Sequence, residues 1–319
     1  LYGARGANGA IIITTKSGAR RGKGLGVTIN SNVSFNDVLK WPDYQYEYGQ
    51  GTGRAFNPDG ELFYSYGASA DGPNTGGTSS AFGPRFEGQS YFQYDPVLEG
   101  QSAERVPWRP YKDNIKGFWR TGSTITNNIS LEGGTEESSA RASITHSKNK
   151  WIMPNTGYER ITAALSLNHK ISQKIRLNAK LNYTNKKSDN LPATGYNNQS
   201  IAYFMIFQNP SIDLAWYRPI WKKGLEQVDQ IHPFSSFIDN PYLIAYEMTY
   251  SVKNNTVVGN ISATYQVTPN LDVMVRSGVS MSDEEREQRR PYSTANFQRG
   301  YFRRQDVSNF EINTDALIT

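Results

Sequence analysis

The chain has 319 residues, of which 37% are hydrophobic, and a formal net charge of +5. No apolar run approaches the roughly 18 residues of a membrane-crossing helix, which excludes a helical membrane protein. A membrane barrel stays open, because only alternate residues of its strands face lipid. Cysteine is absent, which removes disulfides and thiolate metal sites; basic residues cluster only at Arg20, Arg21 and Lys23, which argues against a nucleic-acid surface.

The first eighteen residues read LYGARGANGAIIITTKSG. Gly3, Gly6 and Gly9 are spaced by three and lead into a short apolar strand, Ala10 to Ile13, followed by Thr14, Thr15 and Lys16. A dinucleotide loop needs a strand before its glycines and a helix after them. Here a strand follows, so no nucleotide cofactor is expected. The glycines instead permit tight turns, with Arg5 and Asn8 available to hydrogen-bond them. Residues 19–24 read as a polar linker.

From Leu25 onward, apolar and polar residues alternate with period two, the sign of strands with one apolar face. The pattern predicts eight antiparallel strands, at 25–36, 122–134, 138–149, 158–171, 175–187, 255–267, 271–282 and 306–317. Ser172-Gln173-Lys174 and Thr268-Pro269-Asn270 are hairpin turns. The polar faces carry Arg, Lys, Asn and Thr, which a dry sandwich core would not tolerate. An apolar exterior around a wet interior is the arrangement of a membrane barrel. Connection lengths alternate, with long loops at 37–121, 188–254 and 283–305, a medium loop at 149–157, and tight turns at the remaining connections. In a meander this puts every long loop on one rim, as in outer-membrane barrels.

Candidate chemistry is sparse. His146, His169 and His232 fall in different elements without ligand spacing, so no metal site is expected. Acidic pairs such as Glu136-Glu137 and Asp283-Glu284-Glu285 sit in predicted turns or loops, where solvated charge is the simpler reading. No nucleophile elbow is present, and the chain is expected not to be an enzyme. Tyr44, Tyr46, Tyr48, Phe63, Tyr64, Tyr66, Tyr91, Phe92 and Tyr94 fall in the first long loop. They would either stack on sugars or a partner protein, or build the loop's own small core, which is the favoured reading for any one of them. Trp119, Trp151, Tyr158 and Tyr183 lie at strand ends and suit an interfacial girdle.

The opening R-G-A-N-G, Ile-rich strand and T-T-K-x-G resemble the end of the plug domain in TonB-dependent outer-membrane transporters of the SusC/RagA family. Asp113 to Gly134, the stretch S-A-R-A-S-I-T-H-S-K-N-K-W-I-M-P-N, and D-N-P-Y-L from Asp239 resemble the same family. The resemblance implies an all-β fold, with residues 1–18 closing a plug and residues 25–319 forming about eight strands of an expected 22-stranded transmembrane barrel. Gly3, Arg5, Gly6, Asn8 and Gly9 would be the structural motif at the plug's end. It further implies import of an oligosaccharide or a peptide across a bacterial outer membrane, without a cofactor. The implied partners are outer-membrane lipid, a SusD-like surface lipoprotein and the TonB complex, reached through sequence upstream of Leu1. The alternative is a soluble secreted β-sandwich or adhesin binding glycans through aromatic loops, which would need a second sheet over the apolar face.

Overall fold

The computed structural model describes residues 8–9, 24–198, 200–233 and 238–319. Its frame is one antiparallel sheet of β1 (Gly26–Asn36), β2 (Gly122–Gly134), β3 (Ser138–Lys150), β4 (Gly157–Lys170), β5 (Ile175–Ser188), β6 (Tyr250–Thr268), β7 (Leu271–Tyr292) and β8 (Arg299–Ile318). Each strand pairs with its neighbours in sequence, from β1 to β8, without a crossover. All eight expected strands are therefore present and in the expected order.

The register explains the alternation. Val27, Leu131, Ala142, Leu165, Leu181, Gly259, Val279 and Ile312 share one row across the sheet. The adjacent row, on the opposite face, holds Thr28, Ser130, Ser143, Ala164, Asn182, Val258, Ser280 and Glu311. Successive residues of a strand point to opposite faces, so one face is apolar and the other mainly polar. The apolar face is uncovered: Ile29 is 71% exposed, Ile144 60% and Phe310 66%. Among the described residues no second sheet of comparable size exists, the other two ladders having two residues per strand. The sandwich alternative thus lacks the layer it requires.

The apolar band also crosses the rows obliquely. It runs from Leu25 to Phe35 at β1, but from Leu271 to Met281 on β7, and Ile29 shares a row with Met281. Four residues nearer the long loops on the same face, Val33 and Ile125 continue as Lys148, Glu159, Lys187, Lys253 and Glu285. A level belt crossing the rows means that the strands tilt against it, with the stagger that closes a sheet into a barrel.

Two expected loops are shorter than the alternation implies. The loop expected at 283–305 is strand to Tyr292 and again from Arg299, and the loop expected at 188–254 ends where β6 begins at Tyr250. Hydrophobic alternation stops there because both faces become charged, and charge pairing takes over the ladder. Glu285 meets Lys253 at 3.5 Å and Arg304 at 2.8 Å, and Arg289 meets Glu287 at 3.1 Å. β7 has 22 residues, about 70 Å of strand at roughly 3.3 Å each. That is far more than the roughly 9–11 residues needed to cross a bilayer. The β7–β8 hairpin therefore stands above the apolar belt as a charged ribbon.

The buried core lies in the loops, not in the sheet. Among the described residues, the loop after β1 (residues 37–121) and the loop after β5 (189–249) carry three short α-helices, α1 (Asn114–Phe118), α2 (Ile201–Phe207) and α3 (Pro241–Tyr246), and a 3-10 turn at Leu214–Tyr217. Phe118, Phe204, Ile212, Tyr217, Leu243 and Met248 form the centre of one apolar cluster. Ile201 to Phe207, too short to span a membrane, is the helix that buries Ile201, Phe204 and Met205 there.

Leu243→Ala should remove about 2–5 kcal/mol from this loop core. Hydrogen exchange should then lose protection in 201–248 while the amides of β3 to β5 keep theirs. Equal loss across the sheet would show loops and wall to be one cooperative unit.

Candidate functional site

The loop assembly is stitched by buried amides. Asn114 donates to the Ile212 carbonyl and accepts from the Leu214 amide at 2.8 Å, fixing the first long loop to the second. The Tyr111 amide donates to the Pro210 carbonyl at 2.8 Å, and the Gln50 amide to the Ser211 hydroxyl at 3.1 Å. Asn240 caps α3 by accepting from the Tyr242 and Leu243 amides, the usual role of Asn ahead of a first-turn proline. Its Nδ2 donates to the carbonyls of Tyr217 and Ile231. Two further ties fix the assembly to the strand tips. Gln230 donates to the Ser293 carbonyl, and Asp239 accepts from the Ala295 amide at 2.8 Å. Asn155, between β3 and β4, donates to the Ala245 carbonyl at 3.0 Å.

Three of the nine first-loop aromatics are buried in the loop's own core, five are half-buried and Tyr48 is exposed. Phe63, Tyr64 and Tyr94 are buried, and Trp108 is the hub, with Tyr64 at 4.5 Å and Phe86 at 5.4 Å between ring centroids. Gly49 permits this packing, since a Cβ there would lie 2.1 Å from the Trp108 ring. Burial pushes the Tyr64 and Tyr217 phenols well above their ordinary range, so both stay neutral. The expected girdle is different in detail. Trp119 packs against the loop core, and Trp151 and Tyr158 stack on each other, with Lys186 over the Tyr158 ring. Tyr183 alone of the four lies in the apolar row, beside Ala163 and Val257.

Two neighbouring hollows open between the long loops, and both include Tyr111 and Asn114. One, of about 330 Å³, is bordered by Lys112, Asp113, Asp213, Arg218 and Tyr242. The other, of about 150 Å³, is bordered by Tyr44, Tyr46, Ile206 and Gln208. Aromatic faces beside amides and a few charges can hold sugar or peptide groups by stacking and hydrogen bonds. Among the described residues no cluster of His, Asp and Glu could hold a metal ion. His146 is engaged with Glu159 and His169 with Ser138.

Of the opening motif, Asn8 and Gly9 are described, while Gly3, Arg5, Gly6 and the strand at 10–13 lie outside the described residues. Gly9 has φ of 99° with open space around it. Backbone conformation, not crowding, is what favours glycine there. Asn114 and Asp239 lie in stretches that carried the family resemblance, but sequence reasoning gave neither of them, nor Gln230, a stitching role. Asn240 had a local signal, the Asn-Pro step opening a helix.

No protein-family model matches the chain. It is similar to the TonB-dependent receptor SusC of Bacteroides thetaiotaomicron, with 23% identity over 334 aligned residues, covering 98% of this chain and 28% of that receptor. It is also similar to solved structures of the RagAB peptide importer. The closed-closed state gives a TM-score of 0.56 over 98% of this chain and 34% of that one. The open-open state gives 0.60 over 99% and 34%, and the structure described as the RagAB peptide transporter 0.61 over 100% and 35%. Identity is 15% in all three. The chain spans about a third of those solved chains and 28% of the SusC receptor. Its sheet has the fold of a segment of the antiparallel β-barrel in those RagAB structures.

Asp239 supplies a pH test of the stitching. Burial pushes its carboxyl above the ordinary range, against the bonds from Ala295 and Gln230 and the charge of Arg290. A carboxyl raised in the folded state favours folding below its unfolded pKa, and the advantage is lost as pH rises through the folded value. Asp239→Asn keeps an acceptor oxygen but cannot ionise. Protease resistance of the loops should fall with rising pH through the mildly acid range in the parent and stay level in the variant. A variant retaining the parent's slope would assign it to another group.

Proposed function

We infer that this chain is the wall and outer-loop segment of a TonB-dependent outer-membrane importer of a nutrient, an oligosaccharide or a peptide. One observation carries this reading. A sheet with an apolar uncovered face and a polar opposite face bears, on a single rim, loops that fold into their own core. Lipid suits the first face and a hydrated lumen the second. In this reading residues 1–18 close the plug and residues 19–24 link it to β1. The loop assembly and a SusD-like lipoprotein enclose substrate at the mouth, and TonB acts through the region upstream. The work is binding and gating, with no covalent step.

Deleting the gene and restoring the full-length protein tests the activity. Uptake of oligosaccharides or of oligopeptides should vanish and return, and should require TonB. Unchanged uptake of both substrate classes would refute the reading.

Sidedness gives a second test on intact cells. Cysteine introduced at Asp59, exposed in the first long loop, should react with an impermeant thiol reagent. Cysteine at Gln173, in the β4–β5 turn, should be protected. The reverse pattern would invert the topology.

The faces themselves can be compared in the full-length protein. Leu165 and Leu181 are paired on the apolar face, whereas Asn168 and Asn178 are paired on the other. Leu165→Arg near the midplane should cost about 2–4 kcal/mol and lower the yield of assembled barrel well below that of Asn178→Arg. Equal yields would remove lipid from the apolar face.

A further inference from the structure

Above the apolar belt, on the same outward face, β3 and β5 carry Lys148, Lys150 and Lys187, all exposed. They border an open cavity of about 310 Å³ at the long-loop rim, together with Arg120, Glu159 and Asp189. Arg120 is committed to the carbonyls of Trp151 and Thr156, both at 2.9 Å. Glu159 is held by His146 at 2.8 Å and Lys187 at 3.1 Å. Among the described residues Lys148 and Lys150 meet no carboxylate within ion-pair distance. The cavity therefore keeps a surplus of positive charge after its internal pairs are made.

Directly below, on β2 to β5, the outward face is hollowed to about 560 Å³. The small residues Ala142 and Ala163 form its floor, between Ile129, Ile144, Leu165 and Tyr183. Ile144 and Lys148 are four residues apart on one strand, about 13 Å. A cluster of lysines thus sits one headgroup's distance above an apolar trough.

We propose that these two hollows together form a binding site for a phosphorylated, multiply acylated lipid of the outer leaflet. The phosphate engages Lys148, Lys150 and Lys187, and an acyl chain lies over Ala142 and Ala163. This site rests on the membrane reading above and adds a specific lipid to it. The occupant follows from charge and position. Lysine ammonium groups at a membrane surface attract anionic headgroups, and the hollow over Ala142 and Ala163 gives an acyl chain room between branched side chains.

The test uses the full-length protein extracted in mild detergent from outer membranes, with retained lipid measured by mass spectrometry. Lys148→Gln/Lys150→Gln/Lys187→Gln should lower retained phosphorylated lipid about tenfold. Lys40→Gln/Lys174→Gln/Lys223→Gln, which removes the same charge elsewhere, should retain it. Ala163→Phe, which fills the trough, should also lower retention, and enzymatic removal of the lipid phosphates should reproduce the lysine variant's loss. Equal retention by the two triple variants would overturn the site while leaving the membrane reading in place. Loss in Ala163→Phe alone would overturn it as well, marking non-specific acyl contact. A parent protein absent from the outer-membrane fraction would overturn both.

Discussion

Everything in this molecule follows from a sheet that has no dry core of its own. A single layer of eight strands satisfies its backbone groups by pairing along the meander, but it leaves two faces to be solvated. Its apolar face, carrying residues as exposed as Ile29 and Phe310, would be a severe aggregation hazard in water. Its other face holds Asn, Ser, Arg and Lys that no apolar layer could cover. The two faces therefore demand different solvents. The oblique apolar band adds a geometric demand, since a level belt with this stagger belongs to tilted strands. Both demands are met by a barrel wall between lipid and a wet lumen.

The loops solve the converse problem. They bury Phe204, Tyr217 and Leu243 in a shared apolar core. Burying a loop's backbone creates unsatisfied donors and acceptors. Asn114, Gln230, Asn240 and Asn155 answer it by bonding main-chain groups of distant segments. Each such amide is worth only about 1 kcal/mol when made, yet leaving its partners unpaired in the interior costs about 1–3 kcal/mol. They therefore fix the loops' arrangement more firmly than their individual strengths suggest.

How much of this could be read from sequence depended on whether a segment had one dominant solvent contrast. In β3 to β6 the residues of the two faces differ so sharply that the strands and their faces were legible from alternation alone. Beyond Met281 the contrast disappears, because Glu284 and Glu285 are charged on both faces, and a strand held by ion pairs was read as a loop. The loop helices were hidden for another reason. At five to seven residues each they carry little periodicity, and tertiary burial, not propensity, holds them. Apart from Asn240, the stitching amides left no trace of their role, since an Asn such as Asn114, which binds a carbonyl about a hundred residues away, looks like any other loop Asn.

The charged β7–β8 ribbon joins these two regimes. It continues the wall's hydrogen bonding above the belt, and its tip accepts the second long loop through Ser293 and Ala295. Asn155 holds the same loop to the β3–β4 connection, and Asn114 ties the first loop to it. The assembly is thus anchored to the wall at two separated tips, by bonds within the loop layer. A rotation of one loop alone would break several of these at once, each exposing a buried polar group. Movement of the whole cap, flexing where the strands leave the belt, breaks none of them. Any gating by these loops is therefore cheapest as a rigid-body motion of the joined assembly, which carries the shared Tyr111 and Asn114 hollows with it unchanged.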